Sequence, residues 1–201
     1  MIVGITGGTG CGKTTLLDVI RERGGIVLDC DAIYHRLLRE DPTLTASIEK
    51  RFPGTVTDGQ LNRKKLGAIV FEDKQALEDL NRLTHAAVKA EVIRLLTPEP
   101  ELAAIDAIGL FESGLDKLCK LTVAVTAPEQ QRVIRLMQRD GIDREYALAR
   151  IRAQRSCEEY STQCHYTLHN DGTREAFREK CLAFLAELGI IKTETNKGDF
   201  L

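Results

Sequence analysis

A glycine-rich run near the N-terminus constrains this chain most strongly. Residues 4–15 read Gly-Ile-Thr-Gly-Gly-Thr-Gly-Cys-Gly-Lys-Thr-Thr, and Gly7, Gly12, Lys13 and Thr14 complete the pattern G-x-x-x-x-G-K-[ST] of a phosphate-binding loop, or P-loop. Apolar residues before the run predict a buried strand, and those after it predict a helix, which is the context that the motif requires. The alternative is a chance glycine-rich turn, which this context disfavours. The sequence therefore predicts a nucleoside triphosphate site.

The loop also predicts which groups contact the nucleotide. Backbone N–H groups of the glycines and the N-terminus of the following helix favour phosphate binding. We expect Lys13 to reach the β- and γ-phosphates and the Thr14 hydroxyl to hold Mg²⁺. The residues expected around the phosphates are Gly8, Gly10, Cys11, Gly12, Lys13, Thr14 and Thr15.

Charge and cysteine content narrow the class of protein. The 201 residues fit one domain with room for an insertion, and the net charge of −2 gives no support to a nucleic-acid or membrane surface. A small anionic substrate suits this balance, with the protein as a monomer or weak homo-oligomer. The six cysteines contain no C-x-x-C pair, and neither a signal peptide nor a membrane-spanning apolar run is recognisable. We therefore expect a cytoplasmic protein with reduced thiols.

Two features permit other interpretations. Cys164, His165 and His169 resemble part of a zinc site, but no second cluster supplies the remaining ligands at a recognisable spacing. Cys11 lies at a helix N-terminus, where thiols become more reactive, although a small residue that only fills a loop position is the simpler interpretation.

Strands and helices alternate along the chain, which predicts an α/β fold with a doubly wound, parallel, five-stranded sheet. After the first strand, the other strands are predicted at 26–29, 102–108, 121–125 and 166–169. The core is expected to comprise 1–31, 101–127 and 160–190, followed by a polar C-terminal tail at 191–201.

The segment 32–100 between the second and third strands is too long for a simple crossover and has a helical pattern. We interpret it as a helical insertion that binds the second substrate, although a purely structural cap would have the same pattern. Its predicted apolar stripe comprises Leu77, Leu80, Thr84, Ala87, Val88, Val92 and Leu95.

The segment 128–159 predicts an arginine-rich helical lid over the phosphates, because one guanidinium group can bind two phosphate oxygens at once. Val133, Ile134 and Met137 are expected to form the buried face of its first helix, after Pro128 in the first turn. For any single arginine, a solvated surface position is the simpler interpretation. The arginines in question are Arg132, Arg135, Arg139, Arg144, Arg150, Arg152 and Arg155.

Carboxylates are expected at the carboxyl edge of the sheet, where doubly wound folds bind ligands. Asp29-Cys30-Asp31 closes the second strand, and Asp31 could accept a proton from a hydroxyl group, cap a helix, or do both. Asp106 follows at the end of the third strand and could support the metal ion, or be an ordinary strand-end residue.

Together these stretches resemble the dephospho-CoA kinase family over nearly the whole chain. The P-loop, the Asp-x-Asp after the second strand, Leu-Phe-Glu-Ser-Gly at 110–114, Arg-x-x-x-Arg-Asp at 135–140 and Asn-x-Gly at 170–172 occur in the family's order. The resemblance implies ATP and Mg²⁺ as cofactors and transfer of the γ-phosphoryl group to the ribose 3′-hydroxyl of dephospho-CoA, the last step of coenzyme A biosynthesis.

The resemblance also implies roles for individual residues. Asp31 is expected to be the catalytic base, with Lys13 and Arg139 stabilising charge on the transferred group, and Asn170 to lie in the loop beside adenine. The residues implied on the acceptor side, besides Asp31, are Arg63, His85, Leu110 and Glu112.

Three rival functions remain open from the residues alone. A GTPase would read guanine with Asn-Lys-x-Asp, which occurs at 196–199, but in the tail and without a switch motif after the third strand. A kinase for a nucleoside monophosphate or a vitamin would share the loop, lid and insertion. An inactive nucleotide-binding scaffold is disfavoured by the intact Lys13, Thr14 and Asp31.

Overall fold

The computed structural model describes residues 1–57 and 59–191. The sheet, the helices around it and the helical pair of the predicted lid all lie within these ranges. Most of the predicted polar tail 191–201, including the Asn-Lys-Gly-Asp stretch at 196–199, lies outside the described residues.

Five parallel strands form the central sheet, in the order β2-β5-β1-β6-β7. They are β1 (Ile2–Thr6), β2 (Ile26–Asp29), β5 (Ala103–Asp106), β6 (Leu121–Thr126) and β7 (Tyr166–His169). Every neighbouring pair runs parallel, as crossover connections require. The doubly wound, five-stranded parallel sheet predicted from the sequence is confirmed, and the second and fifth strands have the predicted bounds.

Burial along the strands follows their position in the sheet. All six residues of β6 are buried, because helices cover both faces of this strand. The two edge strands are more exposed to solvent: Ile26 of β2 is 44% exposed and Tyr166 of β7 is 42% exposed. On β5, Ala103 and Ile105 pack into one core cluster and Ala104 into the other, as the alternation of a strand requires.

Nine helices within the described residues surround the sheet and form the insertion and the lid. They are α1 (Lys13–Glu22), α2 (Cys30–Glu40), α3 (Pro42–Arg51), α4 (Arg63–Glu72), α5 (Lys74–Leu95), α6 (Glu129–Asp140), α7 (Arg144–Arg152), α8 (Cys157–Gln163) and α9 (Arg174–Glu187). A short antiparallel hairpin, β3 (Val56–Thr57) and β4 (Gln60–Leu61), joins α3 to α4. None of the helices described combines the length and apolar character needed to cross a bilayer.

The Asp-x-Asp segment differs from the sequence-based prediction. β2 ends at Asp29 and α2 begins at Cys30, so Asp29 and Asp31 do not share a strand face, and the helical region starts before residue 32. The Asp29 side chain accepts a hydrogen bond from the Ala32 N–H at 2.9 Å, which makes Asp29 the helix cap. Of the two roles considered for Asp31, capping of the helix therefore belongs to Asp29 instead, and Asp31 lies in the first turn of α2.

The predicted apolar stripe of the insertion is only partly correct. Leu80, Thr84, Val88 and Val92 of α5 are buried as expected, but Leu77 is 38% exposed. Ala76 and Asp79 occupy the buried positions of that first turn instead. The buried stripe begins at Ala76 rather than at Leu77. Ala76, Leu80 and Thr84 are four residues apart and therefore lie on the helix face that packs against the core.

The first lid helix also buries a different face. Val133 of α6 is buried as predicted, but Ile134 is 50% exposed and Met137 is 38% exposed. Arg132 and Leu136 are buried in their place. A small cluster of Val133, Leu136, Ala147 and Ile151 holds α6 against α7.

Candidate active site

The P-loop, residues 7–14, adopts a tight curve in which Gly7, Gly10 and Gly12 have positive φ. Gly7 has φ +141°, and a Cβ there would lie 2.2 Å from the Val125 carbonyl oxygen. Gly12 has φ +94°, and a Cβ there would lie 2.2 Å from Asn170 Nδ2. Both glycines therefore let neighbouring groups approach the backbone of the loop directly. The loop ends at α1, whose N-terminal N–H groups favour an anion.

Lys13, the first residue of α1, folds back across the loop. Its ammonium group donates a hydrogen bond to the Gly7 carbonyl oxygen at 2.9 Å and lies 3.9 Å from Asp106 Oδ1. The side chain is only 14% exposed. This holds one positive charge at the centre of the loop, where phosphate oxygens would lie.

Side chains distant in sequence fix the outer surface of the P-loop. Arg132 Nε donates to the Thr9 carbonyl oxygen at 2.9 Å, and the Thr9 N–H donates to Gln154 Oε1 at 2.7 Å. Arg132 is 4% exposed and Gln154 follows α7, so both belong to the predicted lid. The lid therefore shapes the loop from outside as well as lining the space in front of it.

Asn170 and Arg135 fix the second half of the loop. Asn170 Nδ2 donates to the Cys11 carbonyl oxygen at 2.9 Å, and Asn170 Oδ1 accepts from Arg135 at 3.0 Å. Arg135 also donates to the Gly10 carbonyl oxygen at 3.2 Å. Asn170 is 4% exposed, so the structure places it beneath the loop; its predicted contact with the nucleotide stays a prediction.

Asp106, the last residue of β5, lies beside β1 and β2 at the carboxyl edge of the sheet. It pairs in register with Ile5 on one side and with Asp29 on the other. Burial, with the negative charges of Asp29 and Asp31 nearby, raises the pKa of Asp106 to about 6, although Lys13 opposes the shift. The buried Oδ1 has no hydrogen-bond partner in the structure, which leaves it available to a cation or a donor.

Two lid arginines share one carboxylate at the edge of the site. Arg139 donates to both oxygens of Asp140, at 2.7 and 3.0 Å, and Arg150 donates to Asp140 Oδ2 at 2.6 Å. The two guanidinium groups hold the pKa of Asp140 near 2. Asp140 thus holds the guanidinium groups of Arg139 on α6 and Arg150 on α7 side by side.

A cavity of about 630 Å³ opens in front of the P-loop. Of the residues predicted from the sequence, the structure brings together around this cavity Gly8, Gly10, Gly12, Lys13, Thr14, Asp31, Asp106 and Arg139. Arg135, Gln138, Arg150 and Gln154 of the lid close its other side. The cavity is therefore lined by basic groups from the lid and by backbone from the loop.

A second cavity, of about 260 Å³, lies between α2 and α5. Tyr34 of α2 and the polar residues Asn81, Thr84 and His85 of α5 line it. Burial lowers the pKa of His85, so a neutral imidazole is favoured there. Asp31 and Ile108 line both this cavity and the larger one, so the two cavities are neighbours at Asp31.

The structure places the remaining predicted residues outside the two cavities. Leu110 is fully buried beneath Gly4, and Cys11 is fully buried beneath the P-loop. Thr15 points toward a surface depression beside Asp18.

Two predicted acceptor residues do not line the second cavity. Arg63 lines a separate cavity of about 220 Å³, beside Arg39 and Leu61. Glu112 forms an ion pair of 2.7 Å with Arg155 of the lid and lies beside Gly109, which lines the second cavity. Their contacts with substrate stay predictions.

Sequence reasoning missed several residues that the structure brings to the site. Tyr34 follows Asp31 by one helical turn, and Asn81, Thr84 and Val88 follow one another at spacings of three and four on α5. This periodicity is a usable signal, because such residues share one helix face. The buried role of Arg132 has no comparable signal, since it looks like any other arginine of the lid.

The histidines near β7 have local partners. His165 Nδ1 accepts a hydrogen bond from the Thr122 N–H at 3.0 Å, and His169 Nδ1 lies 2.7 Å from the Thr126 hydroxyl. Across residues 1–57 and 59–191, no group of three or more His, Cys, Asp and Glu residues is arranged to hold a metal ion.

Comparison with known proteins decides the family. The family model described as "Dephospho-CoA kinase" matches residues 1–176. The chain belongs to the dephospho-CoA kinase family. The predicted fold class and enzyme activity, phosphorylation of dephospho-CoA in the last step of coenzyme A biosynthesis, are confirmed with it.

Individual relatives and solved structures match over almost their full length. The Deinococcus radiodurans dephospho-CoA kinase is 38% identical over 192 residues, which cover 94% of this chain and 92% of the relative. A crystal structure from Thermus thermophilus aligns with a TM-score of 0.77 and 36% identity, covering 94% of this chain and 97% of the other. The Campylobacter jejuni dephospho-CoA kinase aligns with a TM-score of 0.66 and 26% identity, covering 93% and 96%.

Proposed function

We propose that the two cavities that meet at Asp31 hold ATP and dephospho-CoA, and that Asp31 serves the transfer between them. The observation that carries this assignment is that, in the part of the chain that the structure describes, Asp31 is the one titratable residue that lines both cavities. A group that takes a proton from an attacking hydroxyl must reach the acceptor while facing the phosphate.

The larger cavity suits the triphosphate of ATP. P-loop N–H groups, the N-terminus of α1 and Lys13 provide hydrogen-bond donors and positive charge on one side. Arg139 and Arg150 provide guanidinium groups on the other, and Asp140 holds them together. We infer that these arginines transfer part of their hydrogen bonding from Asp140 to phosphate oxygens when ATP binds.

The smaller cavity suits the nucleoside end of dephospho-CoA. Asn81, Thr84 and His85 offer hydrogen bonds to a sugar and a base, and Tyr34 offers an aromatic surface. The rest of the acceptor is longer than this cavity, and we propose that it continues along the helical insertion 32–100. Arg63 lies on that side of α2 and remains our candidate for an anionic group of the acceptor.

The reaction follows from this arrangement. The ribose 3′-hydroxyl attacks the γ-phosphorus, and its proton passes to the Asp31 carboxylate. A new bond between oxygen and phosphorus forms while the bond from the γ-phosphorus to the β,γ-bridging oxygen breaks, so that ADP leaves. Lys13 and Arg139 stabilise the negative charge that develops on the phosphoryl oxygens. Positioning accounts for much of the acceleration in such transfers.

The residues present fit a magnesium ion. The Thr14 hydroxyl and the Asp106 carboxylate line the same cavity, and Asp106 Oδ1 is buried without a hydrogen-bond partner. Mg²⁺ prefers oxygen ligands and usually takes only one or two from the protein, with water and phosphate completing its shell. We propose that Thr14 binds this ion and that Asp106 supports it, so that it neutralises charge on the β- and γ-phosphates.

The most direct test is a coupled ADP-release assay with dephospho-CoA, AMP, CMP, UMP and pantothenate as acceptors, and with ATP and GTP as donors. We expect turnover with ATP and dephospho-CoA to exceed that of every other pair, because the acceptor cavity is shaped by α2 and α5 rather than by the P-loop. Faster turnover with a nucleoside monophosphate or with pantothenate would contradict the assignment of the acceptor. Absence of phosphoryl transfer even in a single turnover would contradict an active kinase.

Replacing Asp140 with asparagine should raise KM for ATP by roughly two- to fivefold, as is typical for the loss of an exposed charge pair. Asp140 holds Arg139 and Arg150 side by side, and the neutral side chain would leave the two cations to repel each other. Steady-state kinetics at fixed dephospho-CoA measures this effect. The matched control Glu145→Gln removes an exposed negative charge from the same lid and should leave KM unchanged. Equal effects of both substitutions would show that only the net charge of the lid matters.

We also propose that the enzyme works in the cytoplasm, as a monomer or weak homo-oligomer, without a nucleic acid or membrane partner. All six cysteines, which lie within the described residues, are free thiols, as is common in a reducing compartment. The net charge of −2 favours small anionic substrates that bind to a local cluster of basic groups.

A further inference from the structure

A pair of cysteines links the P-loop to the lid. Cys11 lies within the loop, and its side chain is fully buried on the side away from the ATP cavity. Cys157, the first residue of α8, is half-buried and packs against the same core cluster. The two thiols are in side-chain hydrogen-bonding contact. The Cys157 sulfur also lies 3.7 Å from the Ala127 carbonyl oxygen.

A buried arginine lies against this pair. Arg132 is 4% exposed, and its NH1 group donates to the Cys157 sulfur at 3.7 Å while its Nε donates to the Thr9 carbonyl oxygen at 2.9 Å. Its NH2 group is buried without a hydrogen-bond partner. Within residues 1–57 and 59–191, no ion pair joins Arg132 to a carboxylate. A buried cation is costly unless an anion lies nearby, and the Cys157 sulfur occupies that position.

The other buried thiols provide a contrast. Burial raises the pKa values of Cys30, Cys119 and Cys181 to about 12, as expected for inert core cysteines. The pKa of Cys157 is instead lowered, because Cys11 donates a hydrogen bond to it and Arg132 lies beside it. The pKa of Cys11 is raised by the same hydrogen bond and by burial, so Cys157 is the thiol of the pair that ionises more readily.

We propose that Cys11 and Cys157 are a peroxide-sensitive dithiol whose disulfide switches off the P-loop. The inference goes beyond the proposed kinase activity, because it assigns a modification site to residues that the transfer reaction does not use as reacting groups. It rests on the contact of the two sulfurs, the half-buried position of Cys157 and the buried guanidinium group beside it.

The chemistry requires a hydroperoxide as the oxidant. The Cys157 thiolate attacks one oxygen of hydrogen peroxide, the O–O bond breaks, and the sulfenic acid forms with release of hydroxide, which takes up a proton to give water. The Cys11 sulfur then attacks the Cys157 sulfur, the S–O bond breaks, and the Cys11 proton leaves with the hydroxyl group as a second water. Two thiols are oxidised to one disulfide and one peroxide is reduced to two waters. A dithiol reductant reverses the change.

The disulfide would alter the P-loop by tying Cys11 to α8, while the Cys11 carbonyl oxygen is held by Asn170 on the other side. The tied sulfurs lie beside Arg132, the side chain that holds the Thr9 carbonyl oxygen and lies against Gly8, so a shift of Cys157 would also reach the first half of the loop. A displacement of about 1 Å in a positioned reaction costs on the order of 10²-fold in rate. We therefore expect the oxidised enzyme to lose at least about tenfold in turnover.

The test treats the full-length protein with a graded excess of hydrogen peroxide and measures its mass and its activity in parallel. We expect the mass to fall by two hydrogen atoms, with a matching loss of turnover that dithiothreitol restores. Trypsin should then yield peptide 1–13 joined to peptide 156–174. Since the second peptide contains both Cys157 and Cys164, the assignment of the link uses the Cys164→Ser variant, which must still form it.

Variants distinguish oxidation of the Cys11–Cys157 pair from oxidation elsewhere in the protein. Cys157→Ser should keep its basal turnover, form no link and resist peroxide, whereas Cys164→Ser, its matched control in the same peptide, should remain sensitive. Cys11→Ser should leave a sulfenic acid on Cys157 that dimedone labels. Loss of activity without the link between 1–13 and 156–174, or equal sensitivity of Cys157→Ser and wild type, would overturn the proposal. The mass measurement does not require phosphoryl transfer to dephospho-CoA. A failure of this proposal can therefore be distinguished from a failure of the proposed kinase function.

Discussion

Replacing Asp31 with asparagine should lower turnover on dephospho-CoA by about 10²–10⁴-fold, as expected for the loss of a general base. Asparagine keeps the shape of the side chain, but its amide cannot take the proton of the attacking hydroxyl. Asp31 lines both cavities, so we expect the loss in the transfer step rather than in the fold. Binding of ATP should change little, because the P-loop and the lid arginines remain intact.

The chain offers a matched control two residues away. Asp29 carries the same charge, but its side chain caps α2 through the Ala32 N–H and lines neither of the two cavities. Asparagine caps a helix about as well as aspartate, so Asp29→Asn should keep most of the turnover and the melting temperature. Single-turnover measurements with saturating ATP then compare the two variants at the transfer step.

Three results would contradict the role of Asp31 as the base. Turnover of Asp31→Asn within a few-fold of wild type would exclude it as the base. Equal losses in Asp31→Asn and Asp29→Asn would show that the acidic edge of the sheet acts through its overall charge. A loss confined to KM for dephospho-CoA would assign Asp31 to acceptor binding alone.

The sheet and the P-loop were predictable because their signals are local. The strand at 26–29 has the observed bounds, since an apolar run between turn residues is enough to define it. The P-loop motif specifies its own surroundings, a strand before and a helix after, and both are present. These elements depend on residues that are neighbours in sequence.

The Asp-x-Asp segment shows where local patterns become ambiguous. Both a strand end and a helix start tolerate aspartate, and the sequence does not specify which residue makes the transition. The structure resolves the transition through one hydrogen bond, from the Ala32 N–H to Asp29. With Asp29 as the cap, Asp31 lies in the first turn of α2, and it lines the two cavities.

The network behind the P-loop was not predictable, because its contacts join distant parts of the chain. Arg132 and Thr9 are 123 residues apart, and Asn170 and Cys11 are 159 residues apart. The sequence indicates many arginines in the lid, but only the packing of α6 shows that Arg132 turns inward. The acceptor cavity was missed for the same reason, since it exists only where α2 packs against α5.

Replacing Lys13 with methionine should lower turnover by at least about 10²-fold, because it removes the positive charge at the centre of the P-loop. The ammonium group donates to the Gly7 carbonyl oxygen at 2.9 Å, and Lys13 lines the larger cavity. We expect weaker ATP binding together with slower transfer, which equilibrium binding and single-turnover kinetics distinguish. Lys13→Arg should recover little, since the larger guanidinium group does not fit the same position.

The same substitution should also destabilise the ligand-free protein, and this effect can be separated from catalysis. Lys13 lies 3.9 Å from the buried Asp106 Oδ1, which would lose its nearby cation. An unpaired buried group costs roughly 1–3 kcal/mol, or about 2–4 °C in melting temperature per kcal/mol for a chain of this size.

The pKa of Asp106 is about 6, raised above its unfolded value, so its ionisation disfavours the folded state as pH rises through 6. The deficit of Lys13→Met should therefore be largest above pH 6 and shrink at lower pH. The double variant Lys13→Met with Asp106→Asn removes both charges and should recover the melting temperature without recovering turnover. Recovery of both would mean that Lys13 serves only to neutralise Asp106, whereas recovery of neither would show that the two side chains act independently.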